Sequence, residues 1–98
     1  MNRPGIRFLP ESDTAVAHAP RWLVVVHNDP VNLMPYVVIV FKKELAMDDD
    51  EATKHMLEVH RDGRSVVWSG EREHAEHLVA RLQSWHLRTT LDSEDDAL

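Results

Sequence analysis

Two short segments of the chain carry side chains whose types and spacing could bind a small cation. The first, Asn28-Asp29-Pro30, places an amide next to a carboxylate, and the second ends at His60, whose neutral ring can accept a hydrogen bond. The N-terminus of a protein is an ammonium with three donors, so a specific site must supply about three acceptors and exclude water. Asn28, Asp29 and His60 together offer such a set.

An apolar cavity next to these acceptors would need its own lining. Met34 and Met56 could supply it, because thioethers adapt to aromatic and long aliphatic side chains. Plainer explanations stay open: Asn-Asp-Pro is a common turn composition, and methionines at helical spacing, together with Val59, are more typical of a hydrophobic core. A histidine at the end of a helix can simply interact with the helix dipole.

Other kinds of site have less support in the sequence. His74 and His77 are three residues apart, but neither a His-Glu-x-x-His motif nor a second ligand cluster accompanies them. The acidic run 48–51 lacks the ligand spacing and the glycine of a calcium loop. No serine lies in a Gly-x-Ser-x-Gly elbow, cysteine is absent, and the three glycines form no phosphate-binding loop. We therefore predict no enzyme, no metal site and no cofactor.

Composition narrows the class of protein and of partner. The chain is 43% hydrophobic and 29% charged, as in soluble globular proteins. Its net charge of -6 argues against nucleic acid and anionic membranes as partners, and the lack of cysteine excludes disulfides. No stretch approaches the roughly 20 apolar residues of a membrane span, and no signal-peptide core is present. We expect a monomer in the cytoplasm.

The elements that must position the first segment lie on either side of it. Residues Trp22–Val26 are strand-forming and end in polar turn formers, which predicts a strand. Residues Val37–Leu45 have apolar side chains at helical spacing and predict a buried helix. Asn32 is the predicted N-cap of that helix, with Pro35 in the first turn, where proline is tolerated.

The second segment is predicted to end a second helix. That helix begins at Asp48, where acidic residues suit the helix dipole, and ends at Gly63. Residues 65–68 predict another strand, Gly70 opens a third helix, and residues 87–91 can form a closing strand. The third helix has the strongest periodicity in the chain, with apolar residues at i, i+3, i+4 and i+7: Ala75, Leu78, Val79 and Leu82.

The order β-α-α-β-α-β predicts an α+β domain, with the helices packed on one face of a small sheet. We place this domain at residues 21–92. Residues 1–20 contain three prolines and show no sustained period, so they are predicted to form a flexible extension. Residues 93–98 are predicted to form an acidic C-terminal tail.

Both segments resemble the signatures of the ClpS family. Residues Val26–Val37 resemble its signature loop and first helix, and Ala52–His60, followed by Gly63, resembles its second signature, Ala-Thr-x-x-Met-x-x-x-His. The distance between the two also fits, and the resemblance covers about Trp22–Leu91. It implies a three-stranded antiparallel sheet with three helices.

The resemblance also implies a function, that of a non-enzymatic adaptor. Such adaptors bind proteins whose N-terminal residue is Phe, Tyr, Trp or Leu and deliver them to a ClpA- or ClpC-type AAA+ unfoldase with its protease. By position, Asn28, Asp29 and His60 would hold the α-amino group. Glu73 would face the unfoldase, which would engage residues 1–20 during delivery. The residues that would line the side-chain pocket are Met34, Val37, Met56, Val59 and Leu87, with Asn32 at the rim.

Two positions depart from the family, and one alternative function stays open. On the third helix, Leu78 stands where a lysine is usual in some members, at the surface that would face the unfoldase. Many members carry a second acid where this chain has Pro30, so one negative charge and one backbone donor are missing. The alternative is a general protein-binding domain of ribosomal-stalk type, which shares the order of strands and helices but has no amine pocket.

Overall fold

The structure, a computed structural model, describes residues 20–97 of the 98-residue chain. Apart from Pro20, the predicted N-terminal extension therefore lies outside the described residues. The elements along the chain are β1 (Trp22–His27), α1 (Met34–Leu45), α2 (Asp49–Asp62), β2 (Arg64–Gly70), α3 (Arg72–Ser84), β3 (Thr89–Ser93) and the one-turn helix α4 (Glu94–Ala97).

The three strands form one antiparallel sheet in the order β2-β1-β3. The strand β1 lies in the centre, and its run Val24–Val26 is almost entirely buried, whereas the two outer strands also contain exposed and partly buried residues. This arrangement confirms the predicted α+β fold and the order β-α-α-β-α-β, to which the structure adds α4.

The hydrophobic core lies between the sheet and the three long helices. Its fully buried side chains come from every layer: Val24 and Val26 from β1, Val40 and Phe41 from α1, and Leu82 from α3. Removal of this apolar surface from water is the main force that holds the helices on the sheet.

Helix α1 begins without the predicted N-cap. Leu33 occupies the cap position and makes no side-chain cap bond, while Pro35 lies in the first turn as predicted. The prediction for Asn32 was wrong because its side-chain amide donates instead to the carbonyl of His86, 3.0 Å away. The Asn32 side chain is therefore bound to a distant carbonyl and does not cap the start of α1.

Helix α2 has the predicted ends. The Asp48 carboxylate accepts from the backbone N–H of Glu51 at 2.8 Å, and the helix ends at Gly63, whose φ of 89° is left-handed. The N–H of Gly63 also donates to the carbonyl of Val59 at 3.1 Å. The glycine therefore both closes the helix and turns the chain into β2.

Two boundaries differ from the prediction. Gly70 does not open α3, which begins at Arg72, because Gly70 still pairs with Trp22 in the sheet. A side chain at Gly70 would place its Cβ within van der Waals overlap of the Trp68 ring, so packing explains this glycine. Strand β3 runs to Ser93, which also pairs with Trp22, so the sheet reaches into the segment predicted to be a tail.

Substituting Gly63 by alanine is expected to lower the free energy of unfolding by about 1–2 kcal/mol, because an L-residue with a Cβ is strained at positive φ. No atom lies within 4 Å of the added Cβ, so backbone strain would be the whole effect. Urea unfolding of the Gly63→Ala and Gly63→Asn variants checks this, since asparagine tolerates the left-handed region better. Equal losses for the two variants would contradict the explanation.

A cluster around Glu44 joins α1 to the end of α3. Arg81 donates to both carboxylate oxygens of Glu44 at 3.1 Å, and the indole N–H of Trp85 donates to one of them at 2.6 Å. The Tyr36 hydroxyl donates to the carbonyl of Trp85 at 2.6 Å. The hydrogen bond from Arg81, followed by that from Trp85, holds the pKa of Glu44 below its ordinary value of 4.5.

The lowered pKa of Glu44 predicts that the stability of the fold decreases as the pH falls. A carboxyl whose pKa is lower in the folded than in the unfolded state stabilises the fold above the unfolded pKa, and the contribution disappears as the pH falls through the folded pKa. From about pH 6 to about pH 3, the urea midpoint of the Glu44→Gln variant should therefore fall less than that of the wild type. The Glu73→Gln variant, with an exposed site on α3, is the control and should follow the wild type. Identical curves for all three proteins would contradict the prediction.

Candidate functional site

A cavity of about 320 Å³ opens where β1 ends, between the start of α1 and the end of α2. This volume lies at the small end of the range for ligand pockets. All nine residues that the sequence assigned to the amine site and the side-chain pocket line this one cavity. Their predicted roles in binding stay predictions, but the fold brings them together from three separate parts of the chain.

The loop after β1 is a hydrogen-bonded turn. The backbone N–H of Asn32 donates to the carbonyl of Asp29 at 3.2 Å, and the N–H of Val31 donates to the Asp29 carboxylate at 2.8 Å. Proline is favoured at the second position of such a turn and aspartate at the first, which accounts for Pro30. The turn uses one oxygen of the Asp29 carboxylate, so the other can accept from a ligand.

The end of α2 is tied to that loop. The N–H of Asn28 donates to the carbonyl of Gly63 at 2.9 Å, and Gly63 follows the last turn of α2, which carries His60. Asn28 and His60 are both exposed, and both line the cavity beside Asp29. One backbone hydrogen bond therefore brings the three predicted amine acceptors to the same opening.

The apolar part of the cavity is formed by two helices and by the connection from α3 to β3. Val37, Val59 and Leu87 are buried and form its inner wall, whereas Met34 is 41% exposed and Met56 is half-buried. A flexible thioether at the opening can adjust to side chains of different shape.

The connection that carries Leu87 needs support because its backbone is strained. His86 has a φ of 66°, which is uncommon for a residue with a side chain. The side-chain amide of Asn32 donates to the carbonyl of this residue, so the turn after β1 holds the connection in place. Asn32 therefore contributes to the shape of the cavity as well as to its rim.

A second polar cluster fixes α2 against β2. The hydroxyl of the buried Ser65 donates to the Glu58 carboxylate at 2.6 Å, and Nδ1 of His55 lies 2.7 Å from the same hydroxyl. The hydrogen bond from Ser65 lowers the pKa of Glu58 despite its desolvation. A nucleophilic triad places histidine between serine and acid, whereas here the serine contacts the acid directly. The cluster is therefore structural.

Glu73 lies apart from the cavity. It is exposed in the first turn of α3 and does not line the opening. Its predicted contact with an unfoldase stays a prediction.

Neither a metal site nor a membrane span is found in the described part of the chain. Among residues 20–97, no three His, Asp or Glu side chains converge to hold a metal ion. In the same residues, no helix is both long enough and apolar enough to cross a bilayer.

Comparison with known proteins decides the family. Residues 17–90 match the sequence profile of the family described as "ATP-dependent Clp protease adaptor protein ClpS". The chain belongs to the ClpS family. The ClpS adapter of Streptomyces coelicolor is 47% identical over 73 residues, which cover 74% of this chain and 76% of the relative. The ClpS adapter of Mycobacterium marinum is 41% identical over 92 residues, which cover 94% of this chain and 91% of the relative.

The fold is also similar to that of a solved ClpS protein. The structure of Agrobacterium tumefaciens ClpS2 bound to L-phenylalaninamide superposes with a TM-score of 0.74 and 26% sequence identity, covering 76% of this chain and 98% of that one. These findings confirm the resemblance and identify the chain as an adaptor of the Clp protease rather than the protease itself. They favour the adaptor prediction over the ribosomal-stalk alternative.

Five residues that line the ClpS cavity were not predicted as part of the site: Val26, His27, Pro30, Leu33 and Arg88. Two of them carry a basic side chain. His27, the last residue of β1, and Arg88, which follows Leu87, both line the opening. Neither His27 nor Arg88 belongs to a motif whose spacing indicates a binding or catalytic site. The two are neighbours only because β1 pairs with β3. The carbonyl of Arg88 accepts from the N–H of His27 at 2.8 Å.

Proposed function

We propose that the chain binds the free α-amino group and the bulky hydrophobic side chain of an N-terminal Phe, Tyr, Trp or Leu. It then delivers the bound protein to a ClpA- or ClpC-type AAA+ unfoldase for degradation. The observation that carries this proposal is the arrangement of Asn28, Asp29 and His60 at the opening of an apolar cavity. The ligand of the ClpS2 structure, L-phenylalaninamide, supports it, because it combines a free amine with a benzyl side chain.

The amine is held by three acceptors of different kinds. The free oxygen of Asp29 makes the charge-assisted bond, and the Asn28 amide oxygen and the neutral His60 ring complete the set. An acetylated amine has no charge and one donor. It would leave at least two acceptors unpaired, at a cost of roughly 1–3 kcal/mol each where the site is desolvated.

The side chain of the N-terminal residue fills the cavity between Val37, Val59 and Leu87. Met34 and Met56 adjust to the shape of aromatic rings or of leucine. A β-branched residue would place a methyl group against Met34 at the opening, and this clash excludes Val and Ile. Attraction by the amine acceptors and repulsion at Met34 together give the selectivity.

Delivery uses surfaces other than the cavity. Glu73, exposed on α3, faces the unfoldase, and residues 1–20 are the part of the chain that the unfoldase engages while substrate occupies the domain at residues 21–92. Because the cavity and Glu73 lie on different elements, substrate and unfoldase can be bound at the same time.

A reconstituted Clp protease tests the whole proposal. The chain should accelerate degradation of a green fluorescent protein that begins with Phe and leave one that begins with Val unaffected. The Glu73→Lys variant should bind a Phe peptide normally but deliver poorly. The proposal is contradicted if the chain changes the degradation rate of neither substrate, with a ClpA-type and with a ClpC-type unfoldase alike.

A further inference from the structure

Three basic side chains lie side by side across the end of the sheet next to the cavity. Arg64 of β2 pairs with His27 of β1, and the N–H of His27 donates to the carbonyl of Arg88, just before β3. Residues directly opposite each other on antiparallel strands face the same side of the sheet. We call Arg64, His27 and Arg88 the basic row.

The basic row continues from the opening of the cavity onto the surface. His27 and Arg88 line the cavity, and both arginines of the row are exposed. The His27 ring is oriented by the Thr90 hydroxyl, 2.8 Å from its Nε2. In the binding mode that we infer, a substrate whose first residue fills the cavity leaves it past this surface.

Charge at the opening changes when substrate binds. In the proposed binding mode, the substrate ammonium compensates the Asp29 carboxylate. This leaves Arg88 as the charged residue of the cavity lining, with Arg64 on the other side of His27. The whole chain carries -6, but charges beyond about 8–10 Å are largely screened at physiological salt. The local basic row therefore acts on the substrate more strongly than the net charge does.

We propose that the basic row binds acidic side chains at the second and third residues of the substrate. The chain would then prefer a bulky hydrophobic N-terminus that is followed by Asp or Glu. This inference rests on the proposed function, because it needs the first residue in the cavity. An extended substrate advances about 3.3 Å per residue, so these two residues pass beside the opening.

The test uses fluorescence anisotropy with three labelled peptides that begin with Phe and continue with two Asp, two Ser or two Lys residues. All three peptides are measured in the same mildly alkaline buffer. The Asp peptide should bind about twofold to fivefold more tightly than the Ser peptide, and the Lys peptide correspondingly more weakly. The preference should shrink between about 50 mM and about 300 mM salt.

Variants of Arg88 and of Lys43 show whether Arg88 causes the preference for acidic residues. Arg88→Gln should reduce the preference and Arg88→Glu should reverse it. Lys43→Gln makes the same change of charge nine residues beyond Met34 on α1, outside the cavity, and should keep the preference.

The outcomes separate this inference from the proposed function. Equal binding of the three peptides, or tighter binding of the Lys peptide as the net charge alone predicts, would overturn the inference, while binding of the Ser peptide upholds the amine pocket. A preference that Arg88→Glu leaves unchanged would also overturn it. If none of the three peptides binds, the proposed function and the inference both fail.

Discussion

Replacing Asp29 by asparagine is expected to weaken the binding of a peptide that begins with Phe by about 10- to 100-fold. The carboxylate is the only formal negative charge among the residues that line the cavity, and a hydrogen bond to a charged group contributes roughly 1.5–3 kcal/mol. Each 1.4 kcal/mol corresponds to a factor of ten in affinity. Anisotropy with the labelled peptide measures the change directly.

The choice of asparagine separates charge from structure. One oxygen of Asp29 accepts from the N–H of Val31, and the amide oxygen of asparagine can replace it in that turn. The Asp29→Ala variant loses both the charge and the turn bond. The difference between the two variants therefore measures the turn bond, and the difference between the wild type and Asp29→Asn measures the charge. If the Asp29→Asn variant binds within about twofold of the wild type while remaining folded, the carboxylate does not hold the ammonium.

Replacing Phe41 by alanine is expected to lower the free energy of unfolding by about 3–5 kcal/mol. Phe41 is fully buried in the core, and its loss leaves a cavity there beside α1. Small domains are stabilised by only about 5–15 kcal/mol in total, so the variant should be close to unfolding. Urea unfolding followed by circular dichroism gives the value by linear extrapolation.

Ile39 supplies the matched control on the same helix. It is 53% exposed, so Ile39→Ala removes apolar atoms from the surface of the helix and should change stability by less than about 1 kcal/mol. Because α1 also carries Met34 and Val37, loss of the core at Phe41 should weaken peptide binding too. Similar losses of stability for the two variants would contradict the packing described for α1.

The elements with strong local signals could be predicted from the sequence. The ends of α2 depend on the Asp48 cap and on the left-handed Gly63, and both signals are local. The periodicity of Ala75, Leu78 and Leu82 predicts the buried face of α3 in the same way. Local chemistry decides such features, so neighbouring residues are sufficient to find them.

Features that depend on distant contacts could not be predicted. Nothing near Asn32 indicates that its amide donates to His86, 54 positions away. The pairing of His27 with Arg64 depends on a β-bulge between Val24 and Val25, which shifts the register of β1 against β2. A shift of one residue exchanges the faces of a strand, so the basic row exists only in the folded register.

The site itself lies between these two cases. The turn at Asp29 and the end of α2 are each local, but a hydrogen bond from Asn28 to Gly63 joins them. From the residues alone, an ordinary turn and a helix-capping histidine were the plainer explanations. Resemblance to the ClpS family connected the two segments, and the structure shows which backbone contact brings them together.

Fluorescence anisotropy with three versions of one labelled peptide tests whether the cavity recognises a free N-terminal ammonium together with a bulky side chain. The versions begin with a free Phe, with an acetylated Phe, or with a free Val. We expect that the free Phe peptide binds and that the other two bind at least about tenfold more weakly, because one lacks the ammonium and the other clashes with Met34. Equal affinity for all three peptides would contradict it.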